Sequence, residues 1–180
     1  ASLGSRLKWP DNYFVAYNGL NWQTYKLTNW YSGYFIFDNG YSHNISYSFN
    51  LMRNSTDQQI YPRMGSEFSF GLSLTPPFSL FRKYDFDKDG KRVNVKSWKD
   101  VNYDNWSAQQ RYRWIEYHKW KMSASQYIKL VGDLVLMTRA QFGYLGFYNR
   151  SWGYSPFEGF LLGGDGMSGY NTYGSEVISL

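Results

Sequence analysis

The 180-residue chain contains no cysteine, so neither a disulfide framework nor a thiolate metal site can hold its fold. That absence leaves the compartment open. His43 and His118 are the two histidines, and neither has an acidic cluster beside it in sequence. A histidine metal site or catalytic base is therefore not expected, and packing or solvent contact is the expected role of both. Long apolar runs are missing too. The greasiest stretches, such as 13–17 and 134–137, are far short of the roughly 20 residues a transmembrane helix needs. No signal peptide opens the sequence, so an exported protein of this kind is expected as a mature chain or an internal piece. Charge is sparse: 18% of residues are charged, and the net +5 is spread among acids. Nucleic-acid binding is not expected from that distribution. Hydrolase, zinc-protease and phosphate-loop motifs are absent, and no triad can be nominated. The chain reads as a non-enzyme without a cofactor or a metal.

Aromatic residues are abundant, with 18 Tyr, 13 Phe and 8 Trp, while mean hydropathy stays at −0.57. Alternation reconciles the two numbers. From Asn44 to Leu51, every odd position is apolar and every even one is Ser or Asn. Strand side chains point alternately to opposite faces, so such a segment builds a sheet with one greasy and one wet side. Strands are predicted at 13–27, 41–53, 66–75, 112–126 and 133–148, with the end of another at 5–9. A phase slip at Asn18-Gly19 predicts a β-bulge there. The connections alternate long and short: 28–40 is long, with an aromatic patch at Tyr34, Phe35, Ile36 and Phe37. The link at 54–65 is shorter, 76–111 is long and charged, and 127–132 is short.

Strands of this length suit a tilted membrane crossing, which takes about 9–11 residues, and the loop asymmetry is that of an outer-membrane barrel. The expected fold is all-β: a partial transmembrane antiparallel β-barrel of about five to six consecutive strands. A lysine facing lipid at mid-membrane costs about 2–4 kcal/mol. Lys119, Lys121, Ser123 and Ser125, with Arg139, Gln141 and Gly143, are therefore predicted to face a lumen. Trp120, Met122, Ala124, Leu134, Leu136, Ala140, Phe142 and Tyr144 are predicted to face lipid. A soluble sandwich with a solvated polar face is the alternative.

Asp85, Asp87 and Asp89 with Gly90 match the first half of a calcium loop. Lys96 stands where the loop's bidentate Glu belongs, so a solvated turn is the better reading.

Two segments carry a family resemblance. Tyr61-Pro62-Arg63-Met64-Gly65-Ser66 opens a strand. Pro156-Phe157 leads to Gly163-Gly164-Asp165-Gly166-Met167 and on to Tyr170. This pairing resembles the BamA family of outer-membrane barrel-assembly factors, whose barrel has sixteen strands behind periplasmic POTRA domains. The resemblance implies that the chain, as one partial barrel domain over 1–180, runs from about the family's sixth strand into its sixth outer loop. It makes Tyr61, Pro62 and Gly65 a periplasmic turn, and Pro156, Phe157, Gly163, Gly164, Asp165, Gly166 and Met167 the approach to the in-folded loop. It implies an integral outer-membrane protein that folds and inserts other barrels. Its partners would be unfolded outer-membrane proteins as clients, accessory lipoproteins and outer-membrane lipid. The family's docking Arg-Gly-aromatic motif, its gate strands and the POTRA domains are not found in 1–180. Other readings of the same pattern are an outer-membrane transporter or channel, and a secreted aromatic-rich carbohydrate-binding sandwich.

Overall fold

The computed structural model describes residues 1–29, 39–87, 89–153, 155 and 158–160. Six strands form one antiparallel sheet in sequence order: β1 (Ser2–Arg6), β2 (Phe14–Leu27), β3 (Gly40–Asn54), β4 (Gly65–Leu74), β7 (His118–Lys129) and β8 (Val135–Gly146). Strands β5 (Tyr84–Phe86) and β6 (Arg92–Asn94) make a separate hairpin, and a short helix, α1, spans Ala108–Arg111. The large sheet is curled into a half-barrel. The all-β, partial-barrel expectation is met. The aromatic patch at Tyr34–Phe37 lies outside the described residues.

The register fixes the faces. Lys121 pairs with Gly143 and Gly71, Gly71 with Asn50, and Asn50 with Tyr17, so these residues share one side. The side one residue out of phase carries Phe142, Met122, Phe70, Leu51 and Ala16 in a row across five strands. Phe49, Phe70 and Trp120 meet edge-on within that surface. Among the described residues nothing packs over it: Trp22 is 73% exposed, Leu20 65% and Phe142 60%. A soluble sandwich would cover this face with a second sheet, so that alternative does not describe the fold.

The strand end expected at 5–9 is the strand Ser2–Arg6, and three further expectations differ from the structure. No bulge occurs at Asn18-Gly19, because β2 pairs with β3 without interruption from Phe14↔Arg53 to Leu27↔Gly40. The phase slip is instead accommodated by side chains. Tyr17 takes the polar face and lies over Gly4, while Asn18 takes the apolar face and accepts a hydrogen bond from the Tyr47 hydroxyl at 2.5 Å. The strand predicted from residue 112 begins at His118. Residues 113–115 stay extended but pair with His43 in the place β4 vacates after Leu74 (His43 N to Arg113 O 2.8 Å, Ile115 N to His43 O 2.9 Å). Leu134 lies in the β7–β8 turn rather than in a strand.

Connections 7–13, 55–64 and 130–134 lie at one end of the sheet, and 75–117 at the other, where β2 ends at Leu27 and β3 begins at Gly40. At the short end Arg53 ties two of the turns together. Its guanidinium binds Asp11 at 2.9 Å, Ser55 at 2.9 Å and Ser66 at 2.8 Å. At the long end, 75–117 and 147–153 fold into a cap with its own core. Val101, Tyr103, Trp106 and Trp152 are buried there against Tyr84, Phe86 and Val95.

Candidate functional site

The polar face is the inside of the curl, and the chain folds back onto it. After β8, residues 158–160 lie over the inner surface. Phe160 seats on Gly143, where a Cβ would stand 2.8 Å from the ring, so only glycine leaves room. Lys119 and Lys121 flank that ring, with ammonium-to-centroid distances of 4.8 Å and 5.7 Å. Ile115, Tyr117 and Leu145 supply the apolar bed beneath Phe160.

Glu158 is the polar anchor. Its carboxylate lies 3.7 Å from the Lys119 ammonium and accepts a hydrogen bond from Asn44 Nδ2 at 3.3 Å. The Tyr117 hydroxyl bonds to it as well, and Lys119 also donates to the Gly159 carbonyl at 3.2 Å. Side chains from β3 and β7, separated by β4, thus converge on one carboxylate. Burial raises the Glu158 pKa above its ordinary range, with Lys119 acting in the opposite direction. Burial, followed by the field of Glu158, pushes Tyr117 up to about 12.

Beside Phe160 the inner face opens into a cavity of about 390 Å³, lined by Asn50, Ser69, Gly71, Lys121, Arg139 and Gln141 among others. Lys119, Lys121, Arg139 and Gln141 therefore share one surface, and Arg139 Nε donates to Ser125 at 3.2 Å. Tyr61 and Pro62 lie at the opposite end, in the 55–64 turn, and Gly65 opens β4 beside it. Asp57 organises that turn by accepting from the Arg63 and Met64 amides. Gly65 has φ +113°, and a Cβ there would stand 2.3 Å from the Ser55 carbonyl. Pro156, Phe157, Gly163, Gly164, Asp165, Gly166 and Met167 lie outside the described residues. Sequence reasoning did not nominate Glu158 or Phe160. The available signal was the lysine stripe, which needs a counter-charge on its own side of the sheet.

The other candidates have structural roles. Asp85 accepts from the Trp106 indole at 2.8 Å and the Asn102 amide at 2.9 Å, and Asp87–Gly90 closes the β5–β6 turn. No group of metal-ligating side chains occurs among the described residues. His43 stacks on Trp114 and bonds Thr24, while His118 accepts from Trp120 and packs on Tyr148.

The amino-acid sequence matches the Omp85 superfamily domain over residues 1–176. The chain belongs to the Omp85 superfamily. That superfamily is one of outer-membrane protein insertion or transport, and its members generally work with outer-membrane protein clients and are non-enzymatic. No curated protein and no solved structure matches the chain.

Proposed function

We propose that this chain is central barrel wall of a BamA-like assembly factor, integral to the outer membrane, that folds and inserts client β-barrels. The observation that carries the reading is the seat of Glu158 and Phe160 on the inner face. A segment anchored by a carboxylate and an aromatic ring fills the lumen side of the wall, leaving less room for a passive pore. The outer face supports the membrane part. Between Lys26 beside Tyr41 at one end and Arg53 beside Tyr13 and Phe14 at the other, its described strand residues carry no charge. Basic residues paired with aromatics at both edges of an apolar band are what two lipid–water boundaries favour.

In this reading the 55–64 turn with Tyr61 and Pro62, and Gly65 at the start of β4, are periplasmic, and the cap is extracellular. The 1–180 chain is one part of the barrel domain. Residues 156–167 lead toward the in-folded loop. Outer-membrane lipid touches the outer face, and accessory lipoproteins join on the periplasmic side. The wall thins and orders lipid locally, while a strand edge elsewhere in the barrel templates the client by strand addition.

A transporter is the second reading, and the cationic cavity around Lys121 and Arg139 is the observation in its favour. One experiment separates the two. The full-length protein in vesicles should speed the folding of a chemically unfolded client barrel without raising ion conductance. Conductance with no effect on client folding would select transport.

A further inference from the structure

We propose that the rim cavity between the cap and the apolar face binds the phosphate of an anionic lipid whose acyl chains lie on that face; this rests on the membrane reading above. The cavity measures about 390 Å³ and is lined by Phe78, Phe81, Arg82, Lys83, Tyr84, Arg92, Asn94 and Trp114. Its position follows from the backbone. Residues 113–115 pair with His43, which puts the Trp114 side chain on the same outer side as His43 and Ile45, with the His43 and Trp114 rings 4.9 Å apart. Phe78 stacks on Trp114 at 5.0 Å. Those two rings form a wall common to the cavity and the top of the apolar face. An amphiphile on the sheet would meet the cavity with its headgroup.

The chemistry of the lining matches a phosphate. Three of the lining residues are cations and none is an acid. None of Arg82, Lys83 and Arg92 forms an ion pair among the described residues. Arg92 is held over the Tyr84 ring at 3.8 Å. Arg82 is 6% exposed and stacked on Trp106 and Trp152 at 4.8 Å and 4.4 Å, and its buried Nη1 has no hydrogen-bond partner. A buried guanidinium nitrogen without an acceptor is costly, and an anion is the ligand that removes the cost. Glu116 acts on Arg82 through its field but forms no ion pair with it, and its oxygens accept from the Ser79 amide at 2.7 Å and hydroxyl at 2.6 Å. Fixed, weakly hydrated guanidinium groups suit phosphate oxygens. At the rim, Phe81 is 76% exposed, as an aromatic at a lipid–water boundary would be.

The test is native mass spectrometry of the detergent-solubilised full-length protein, offered an equimolar mixture of phosphatidic acid and phosphatidylcholine. The wild type should retain phosphatidic acid in about tenfold preference, the range expected for charge-assisted contacts. The double variant Lys83→Gln/Arg92→Gln should lose that preference. The control Lys96→Gln/Lys99→Gln, elsewhere on the cap, should keep it, and unchanged protease resistance shows that each cap is folded. Undiminished preference in the cavity variant overturns the proposal. Abolition of the preference by excess inorganic phosphate overturns the lipid source and assigns a free-anion site. Failure of the wild type to retain either lipid also overturns the proposal, whereas failure of the same protein to insert into vesicles would overturn the membrane reading.

Discussion

The sheet and the cap of this chain obey opposite burial rules. In the cap, Trp152, Tyr103, Trp106 and Val101 are buried as in any water-soluble core. In the sheet, the large apolar residues Leu20, Trp22, Phe142 and Tyr144 are the exposed ones, while Ser42, Asn44, Ser46 and Ser125 are buried. One chain is therefore built for two surroundings, with the boundary at the strand ends around His43 and Leu74. Water drives the cap together, whereas the sheet offers its apolar side outward and keeps polar groups for the inside.

The largest expected effect lies in the cap core. Trp152→Ala removes a 1%-exposed indole that Tyr103, Trp106 and Arg82 pack against, and should cost the cap about 3–5 kcal/mol. Hydrogen exchange should show faster amides across 75–117 and an unchanged sheet. Equal loosening of β3 and β4 would mean that the two regions are one cooperative unit. Next comes the outer face. Phe142→Lys, at mid-strand, should cost about 2–4 kcal/mol in refolding into bilayers, whereas Gln141→Lys on the inner face should cost little. Equal effects would refute the face assignment.

Gly65→Ala is expected to be smaller, about 1–3 kcal/mol, because its φ of +113° and the nearby Ser55 carbonyl leave a Cβ no place. Heat-modifiability on gels should report a lower melting temperature with a preserved fold.

The smallest effect is a pH dependence confined to the cap. Burial raises the Glu116 pKa above its ordinary 4.5, with the Ser79 hydrogen bonds and Arg82 lowering it in part. Its contribution to cap stability is then complete below 4.5 and fades as pH rises through the raised value. Glu116→Gln should flatten that dependence in cap hydrogen exchange. A slope that persists would place the titration on another group.

The sheet was legible in the amino-acid sequence because a period of two survives wherever its two sides meet different surroundings. Strands β3, β4 and β8 follow from that alone. Strand β2 misled at Asn18-Gly19 because Tyr17 and Asn18 occupy the faces their polarity disfavours, each rescued by one neighbour, Gly4 and Tyr47. Residues 112–117 lose the period of two at Trp114-Ile115, and there Glu116 is committed to Ser79 and Ile115 to the inner bed. The long connection at 76–111 was legible as a cap, but its core was not, because that core joins Arg82, Trp106 and Trp152, far apart in sequence with no period between them. The fold-back was partly legible. Pro156 and Phe157 marked the segment, yet only three-dimensional proximity shows that Glu158 meets Lys119.

Residues 1–180 hold no cysteine, so labels introduced among them make the burial contrast directly measurable. Single substitutions Trp120→Cys, Lys121→Cys, Met122→Cys and Ser123→Cys in β7 of the full-length protein can each carry a spin label in vesicles. Collisions with oxygen, which concentrates in lipid, and with a water-soluble nickel chelate then report each side chain's surroundings. An apolar side in lipid and a polar side in water give oxygen maxima at 120 and 122 and nickel maxima at 121 and 123, alternating in opposite phase. Uniform nickel accessibility at all four positions would contradict it, because the apolar face of the sheet would then lie in water.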